Sequence, residues 1–331
     1  MKQVIIVIVN WNQKKQLEIC LSSLKKTEYN NFSVVVVDNG SIDGSANMVK
    51  QKFPSMDLIE NEENYGFAKG SNIGIKHAIN KYNPDFILLL NNDIEIREGK
   101  WLNILVEITN KDRAGIASCK LLFPDGTIQC AGSISTVFGR KQDRNGYTSD
   151  IRGVTEDTPM DTVMGACFLI KREVIETIGL LDEGFTPYLW EDFDYCVRAR
   201  KAGYSIIYTP KTSVIHYGSV SLGDLMKKSE SFDYVRFYVY QKNRIRYQLL
   251  NSPLHKIIVP PDPKYFLFVY VLLEIFLEKK DKSKGHALNN LAFTKHTRRK
   301  LQYFFMAYLI NIKNIKEIIY KRSHRTKKLM F

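Results

Sequence analysis

Two amides and a carboxylate, Asn91, Asn92 and Asp93, follow the apolar run FILLL at residues 86–90. A short apolar run of this kind is typical of a buried strand, so the three polar side chains would stand at its carboxyl end. Their oxygen atoms suit Mg²⁺ or Mn²⁺, and a cation held there could bind a diphosphate. The same three residues are also typical of an ordinary turn. The choice between these two interpretations depends on which other polar residues the fold brings nearby.

A second acidic group stands in WEDFDYCVR (190–198), at the start of a predicted helix that Gly203 ends. Its members are Glu191, Asp192 and Asp194. Acidic side chains in a first helical turn interact favourably with the helix dipole, whatever else they do. Helix stabilisation therefore accounts for the group at this stage, and a chemical role requires further support.

The elements that must position these residues alternate between strand and helix. Continuous β-branched runs separated by amphipathic segments predict a mostly parallel sheet covered by helices on both faces, which is an α/β fold. The predicted strands lie at 4–9, 34–37, 58–60 and 86–90, and the predicted helices at 14–25, 45–52, 68–79 and 191–202.

Polar residues follow three of the predicted strands. Asn10 and Asn12 come after the first strand, Asp38 after the second, and residues 91–93 after the fourth. Because ligands of such sheets bind at the carboxyl ends of the strands, one shared crevice is predicted. The carboxylate of Asp38 could accept the N3–H of a uracil or thymine ring there. The surrounding DNGSIDGS (38–45) is also typical of a strand-to-helix turn with a capped helix.

The segment NYGFAKGSNIGI (64–75) has glycines at 66, 70 and 74. This spacing lets a helix pack closely on the sheet, or lets backbone approach a phosphate. No G-x-G-x-x-G follows the first strand and no phosphate-loop lysine motif is present, which disfavours nicotinamide and phosphate-loop chemistry.

Several motifs together resemble family 2 glycosyltransferases with the GT-A fold, and in particular the bacterial rhamnosyltransferase-like branch that builds cell-surface polysaccharides. The resemblance covers residues 3–220 and implies a GT-A domain over 1–226. The motifs are VNWN, DNGSIDGS, NYGFAKGSNIG, NNDIE, PDGTIQCAG, MGACFLIKREVIETIGLLDEGF and YLWEDFDYCVRARKAGYSIIYTPKTSVIHYGS.

The resemblance also implies roles for individual residues. Asp93 and His216 would hold Mg²⁺ or Mn²⁺, although a histidine at this point is also typical of a packed core residue. Asp192 would be the general base of an inverting transfer, with Glu191 as the alternative. The family motif is usually Asp-x-Asp, so the neutral Asn91 leaves Asp93 as the only charge and predicts modest metal affinity. The nucleotide-binding residues would be Asn10, Asn12, Asp38, Asn64, Gly66, Lys69, Asn72, Asn91 and Asn92.

Positive charge is concentrated in the last third of the chain. Residues 1–226 hold 25 Lys and Arg against 28 Asp and Glu, whereas residues 227–331 hold 23 against 7, within a total of +13. A linker rich in proline (259–263) and an apolar stretch (265–277) too short to span a bilayer interrupt this region. We predict a basic, aromatic-rich helical extension over 227–331 that docks on an anionic membrane surface. An ordinary solvated helical subdomain is the alternative.

The predicted function is an inverting glycosyltransferase that moves a sugar from dTDP-rhamnose or a UDP-hexose to a hydroxyl of a lipid-linked or polysaccharide acceptor. Such an enzyme would serve capsule, O-antigen or other cell-wall polysaccharide synthesis at the inner face of the plasma membrane, would not bind nucleic acid and could form a homo-oligomer. Five cysteines without a C-x-x-C pair predict a cytoplasmic protein with neither a disulfide framework nor a zinc site. The alternatives are a nucleotidyltransferase with the same crevice and a basic nucleic-acid-binding protein.

Overall fold

The computed structural model describes residues 1–111, 113–132, 154–218, 230–252 and 295–327. The chain forms two compact units. An N-terminal unit comprises Met1–Thr136 and Arg140–Lys228, and a C-terminal unit comprises Val137–Gly139 and Ser229–Phe331. The linker at 259–263 and the apolar stretch at 265–277 lie outside the described residues.

The N-terminal unit is built on one ten-stranded sheet with the order β3-β2-β1-β4-β9-β6-β10-β5, to which β7 adds on β6 and β8 on β10. Pairing is parallel from β3 to β4 and between β6 and β10, and antiparallel at the remaining pairs, so the sheet is mixed. The strands are β1 (Val4–Asn10), β2 (Phe32–Asp38), β3 (Asp57–Glu60), β4 (Phe86–Leu90), β5 (Ile94–Glu95), β6 (Ala114–Leu122), β7 (Ile128–Cys130), β8 (Thr158–Met160), β9 (Cys167–Lys171) and β10 (Ser205–His216).

Helices cover both faces of this sheet, and the predicted α/β class is confirmed, although the sheet is mixed where a mostly parallel one was predicted. The four helices predicted in this unit begin and end within about three residues of the observed ones. The helices are α1 (Lys14–Leu24), α2 (Ser45–Lys52), α3 (Gly66–Tyr82), α4 (Trp101–Thr109), α5 (Arg172–Ile178) and α6 (Glu191–Lys201) in the N-terminal unit, and α7 (Glu230–Asn251), α8 (Lys295–Lys313) and α9 (Ile315–Lys327) in the C-terminal unit.

The buried strands contribute alternate side chains to two cores. In β1, Ile6 packs in the core beneath α1, α2 and α4, whereas Ile5 and Val7 pack in the core beneath α3, α5 and α6. Both faces of β1 are therefore covered by other residues, which explains why the strand is apolar from Val4 to Val9. Glycine lets α3 approach this sheet, because a Cβ at Gly74 would overlap Val7 Cγ1 and lie 3.0 Å from Val37 Cγ2.

The described part of the C-terminal unit is helical. Tyr234 of α7 stacks on Tyr303 of α8 with ring centroids 5.7 Å apart. Arg246 of α7 binds Glu317 of α9 at 2.9 Å. Among the residues that the structure describes, no helix is long and apolar enough to cross a membrane.

Candidate active site

The polar ends of three neighbouring strands meet at one edge of the sheet. Asn10 at the end of β1 stands opposite Asp38 at the end of β2. Asn10 Nδ2 donates to Asp38 Oδ1 at 3.0 Å, and Asn92 Nδ2 donates to Asn10 Oδ1 at 2.8 Å. All three side chains are buried, so the hydrogen bonds satisfy groups that would otherwise be costly to desolvate. The strand order thus brings the polar strand-end residues together.

Asp38 also holds the loop that follows β2. Its Oδ2 accepts from Ser41 N at 2.9 Å, and the Ser41 hydroxyl accepts from Asn12 N at 2.9 Å. Asn12 Oδ1 in turn accepts from Ile42 N at 2.8 Å. The loops after β1 and β2 are therefore joined into one wall of the crevice, and both Asp38 oxygens accept a hydrogen bond within the protein.

The start of α3 forms an adjacent wall. Asn64 Oδ1 accepts from Gly66 N at 2.9 Å, and Lys69 Nζ lies 3.6 Å from the centre of the Tyr65 ring. Gly66 has φ +79°, and a Cβ there would lie 2.7 Å from Pro187 O. Loop packing alone therefore requires this glycine.

Asn72 on α3 contacts the segment before α6 and not the strand ends. Its Nδ2 donates to Leu181 O at 3.0 Å and to Glu183 Oε1 at 2.9 Å, while its Oδ1 accepts from Leu181 N at 3.0 Å. The whole amide is thus engaged in fastening α3 to the segment before α6. This arrangement gives Asn72 a structural role, and we do not include it in the proposed nucleotide site.

Asp93 and His216 meet where β10 pairs with β5. Asp93 Oδ1 lies 3.2 Å from His216 Nε2, and Asn91 Nδ2 lies 3.3 Å from the same nitrogen. Tyr217 N donates to Asp93 O at 3.0 Å and holds the two strands together here. Both Asp93 and His216 are buried. The fold therefore brings together two residues that are 123 positions apart in the sequence.

Gln129 on β7 is a functional candidate that the sequence reasoning missed. Its Oε1 accepts from His216 Nδ1 at 2.5 Å, and its Nε2 donates to His216 O at 3.4 Å, which orients the amide. Because the amide oxygen can only accept, the proton of a neutral ring sits on Nδ1 and the Nε2 lone pair faces Asp93. Gln129 belongs to PDGTIQCAG, one of the motifs that carried the resemblance, and that was the available signal.

The donor set at Asp93 and His216 fits a divalent cation. Asp93 Oδ1 and His216 Nε2 lie 3.2 Å apart, and a carboxylate oxygen and an imidazole nitrogen are both common ligands of divalent cations. Within the described ranges, no group of three or more His, Cys, Asp or Glu side chains is arranged to hold a metal. A cation here would thus take two protein ligands and complete its shell with diphosphate oxygens or water, in the manner of Mg²⁺ sites.

The three acids at the start of α6 occupy different environments. Asp194 is fully buried and paired with Arg198, whose Nε lies 2.9 Å from its Oδ2. Glu191 is buried with no partner for Oε2, and burial, followed by the nearby charge of Asp192, raises the pKa of its carboxyl well above the ordinary value. Asp192 is only partly buried and accepts from Gly165 N at 2.9 Å and from Phe193 N at 2.8 Å.

Backbone contacts connect this acid to the strand-end site. Asn91 N donates to Ala166 O at 2.9 Å, directly beside Gly165, whose N–H binds Asp192. The segment before β9 therefore bridges the end of β4 and the start of α6. Asp192 and the pair of Asp93 and His216 consequently lie at the same edge of the sheet.

A mixed sheet with these features defines the GT-A class of glycosyltransferase. The fold is shared with a mannosyltransferase from Pyrobaculum calidifontis, solved in complex with GDP-Man and Mn²⁺, at a TM-score of 0.51 and 15% identity over 99% of this chain and 84% of that chain. The family model for glycosyl transferase family 2 matches residues 5–179. The chain belongs to this family and to its rhamnosyltransferase-like branch, which sets aside the nucleotidyltransferase and nucleic-acid-binding alternatives.

Two curated relatives carry names of this branch. An N-acetylglucosaminyl-diphospho-decaprenol L-rhamnosyltransferase of Mycobacterium tuberculosis is 27% identical over 66% of this chain and 77% of its own length. The dTDP-rhamnosyl transferase RfbF of Shigella flexneri is 26% identical over 74% of this chain and 77% of its own length. A protein of Sinorhizobium fredii, y4gI, is 26% identical, but the match spans only 25% of its length.

Proposed function

We propose that the protein transfers a sugar, with inversion at the anomeric carbon, from a nucleotide diphosphate sugar to a hydroxyl of a lipid-linked glycan. The observation that carries the proposal is the backbone bridge from Asn91 through Ala166 and Gly165 to Asp192. This bridge supports one site in which the leaving diphosphate and the attacking hydroxyl are handled side by side.

Asp93 Oδ1 and His216 Nε2 would hold Mg²⁺ or Mn²⁺. When bound, the cation supplies positive charge that neutralises the departing nucleotide diphosphate. Gln129 would keep the His216 ring in the tautomer that presents Nε2, and Lys69 would add a further positive charge near the phosphates. Asn91 contributes a neutral amide beside the two ligands, which fits a modest affinity for metal.

Asp192 would act as the general base. Its carboxylate takes the proton of the acceptor hydroxyl as the new bond to the anomeric carbon forms and the bond from that carbon to the diphosphate oxygen breaks. The N–H groups of Gly165 and Phe193 hold the carboxylate in place. Glu191 is less suited to this role, because burial raises the pKa of its carboxyl well above the ordinary value and so favours the protonated form.

The remaining crevice would bind the donor nucleotide. Asn10, Asn12, Asp38 and Asn92 form the hydrogen-bonded strand-end wall, and Asn64 stands exposed at the start of α3. Asp38 has one lone pair left on each oxygen for a base N–H. The names of the relatives favour dTDP-rhamnose as donor, and a decaprenyl-diphosphate glycan as the type of acceptor. Such an acceptor would place the enzyme at the inner face of the plasma membrane, in synthesis of a cell-surface polysaccharide.

The test is a donor screen with matched variants. Purified protein is assayed with dTDP-rhamnose and UDP-hexoses, with Mn²⁺, Mg²⁺ or EDTA, and a polyprenyl-diphosphate glycan. We expect metal-dependent transfer whose product has the inverted anomeric configuration by NMR. Asp192→Asn should bind donor with unchanged affinity and lose at least about 10²-fold in kcat.

Asp194→Asn is the matched control for the acidic helix. It should lower stability through the loss of the pair with Arg198, while the folded fraction keeps metal-dependent transfer. Full activity of Asp192→Asn, or transfer that persists unchanged in EDTA, would contradict the mechanism.

A further inference from the structure

The C-terminal unit has a stripe of exposed apolar side chains along one face of α8 and α9. On α8 the stripe repeats at the spacing of one helical face, and its members are between 46% and 52% exposed. On α9 two further members are 58% and 62% exposed. The apolar stripe consists of Phe305, Tyr308, Leu309, Ile312, Ile319 and Tyr320.

The two parts of the stripe lie on consecutive helices. Asn314 N donates to Ile310 O at 3.1 Å, and Ile318 N donates to Asn314 O at 3.0 Å, so residue 314 joins the last turn of α8 to the first turn of α9. At 1.5 Å per residue, the α8 part from 305 to 312 extends over about 10 Å, and the α9 part adds two further side chains. The six side chains together form a larger apolar surface than the singly scattered apolar residues that any soluble protein exposes.

Packing within the unit uses the opposite face of α8. Ala307 is fully buried, Tyr303 stacks on Tyr234 of α7, and Asn311 Nδ2 donates to Lys242 O at 2.9 Å. The helix therefore has one apolar face that packs in the unit and another that faces outward. The outward face is not needed to hold the three helices together.

Cations border and interrupt the stripe. Lys313 follows Ile312 directly, and Lys316 falls between the α8 and α9 parts on the same face; both are exposed. The region from 227 to 331 holds 23 Lys and Arg against 7 Asp and Glu. An apolar face with a basic border is the pattern of a helix that lies in the interface of an anionic membrane.

We propose that the apolar stripe is the surface by which this protein docks on an anionic lipid bilayer. Its side chains enter the boundary between headgroups and acyl chains, and Lys313 and Lys316 contact lipid phosphates. The choice of a bilayer as partner rests on the proposed function, since a polyprenyl-linked acceptor resides in the membrane. The position of the stripe on α8 and α9 is observed independently of the proposed function.

The test is binding of the full-length protein to vesicles of phosphatidylcholine, with and without phosphatidylglycerol. A variant with Phe305→Ser, Leu309→Ser and Ile312→Ser removes three members of the stripe. Val235→Ser is the matched control, because Val235 is a 47% exposed apolar residue on α7 outside the stripe. We expect the wild type and Val235→Ser to bind vesicles that contain phosphatidylglycerol, and the triple variant to lose about tenfold or more in partition coefficient.

A second variant keeps the test independent of folding. Lys313→Glu combined with Lys316→Glu leaves every apolar side chain in place and should also weaken binding to phosphatidylglycerol. Equal vesicle binding by wild type and both variants would overturn the proposal. So would wild-type dimers that the triple variant converts to monomers without any vesicle binding, because the stripe would then contact a second copy.

Donor binding in solution separates this proposal from the proposed function. Affinity for dTDP- or UDP-sugars should be the same in the wild type and the stripe variants. A protein that docks through the stripe but transfers no sugar would contradict the proposed function and leave the docking surface supported.

Discussion

Three carboxylates in the first turn of α6 have different surroundings, and these surroundings separate their chemistry. Asp194 neutralises Arg198 in the core, Glu191 is buried without a partner for one oxygen, and Asp192 is held by two backbone N–H groups at the edge of the site. Burial raises the pKa of the Glu191 carboxyl well above its ordinary value, whereas Asp192 is only partly buried. This contrast supports Asp192 over Glu191 as the base.

The raised pKa of Glu191 makes a prediction about stability and pH. Above about pH 4.3 the unfolded chain releases this proton, whereas the folded protein keeps it. The stability that neutral Glu191 contributes is therefore full below that pH and is lost as the pH rises towards the folded pKa. The glutamine in Glu191→Gln cannot ionise. The Tm of this variant should therefore rise relative to the Tm of the wild type as the pH increases from about 5 to about 8.

Glu107→Gln is the control for this experiment, because Glu107 is an exposed residue of α4. Its Tm should follow the wild type at every pH. Parallel Tm curves for Glu191→Gln and the wild type would show that Glu191 is not held neutral in the folded protein.

Gln129 makes the second prediction at the scale of a residue. Gln129→Leu removes the acceptor for His216 Nδ1, so the ring loses its orientation, and Mn²⁺ affinity should fall about 10- to 100-fold. Mn²⁺ binding is measured by electron paramagnetic resonance, and the His216 tautomer in metal-free protein by ¹⁵N NMR. Gln129→Glu retains an acceptor and should keep the proton on Nδ1. An unchanged tautomer in Gln129→Leu would argue against a positioning role.

At the scale of elements, α3 is placed by its glycines and by Asn72. Gly74 admits the side chain of Val7, and Gly70 leaves room for Val9 Cγ1, which a Cβ would approach to 2.9 Å. Asn72 then fastens the same helix to Leu181. The recurrence of glycine every four residues thus serves close packing of helix on sheet, and Asn64 before this helix lies 3.5 Å from Asn39, which directly follows β2.

Gly74→Ala tests this packing. A Cβ at this position should cost about 1–3 kcal/mol through overpacking, even though alanine favours helix by about 1 kcal/mol. The free energy of unfolding is measured by urea titration. Adding Val7→Ala provides the space that the Cβ needs, so the cost of Gly74→Ala should shrink in that background. Equal costs in both backgrounds would mean that Val7 is not the obstacle.

At the scale of the whole molecule, the two units carry different charge and expose different surfaces. The N-terminal unit contains the crevice and the acidic helix, while the basic residues concentrate in the region from 227 to 331. This division fits one unit that performs the transfer and another that attaches to the membrane.

Higher ionic strength should weaken binding to vesicles strongly and should weaken binding of the nucleotide sugar far less. Raising salt from about 0.1 M to about 1 M shortens the Debye length from about 10 Å to about 3 Å. Vesicle-bound wild type should therefore decrease strongly, measured by cosedimentation, while the affinity for nucleotide sugar decreases far less. Vesicle binding that is insensitive to salt would indicate that the cations take no part in docking.

Local pattern was sufficient for the first four strands of the sheet and for four helices. The β-branched runs and the helical spacing of apolar residues predicted β1 to β4 and the helices α1, α2, α3 and α6, because burial on a sheet imposes its period on nearby sequence. The two-residue strand β5 (Ile94–Glu95) was missed, because a strand this short has no period to detect. The polar strand ends were also visible, since they interrupt apolar runs.

The amino-acid sequence by itself determined the α/β class, the strand ends that carry polar groups, and the basic character of the last third of the chain. Tertiary structure decided that Gln129 orients His216, that Asn72 and Gly66 serve packing, and that Asp192 differs from its two acidic neighbours. Each of these facts depends on contacts between residues far apart in the chain. Such contacts follow from strand order and pairing, which the local periodicity of a sequence does not encode.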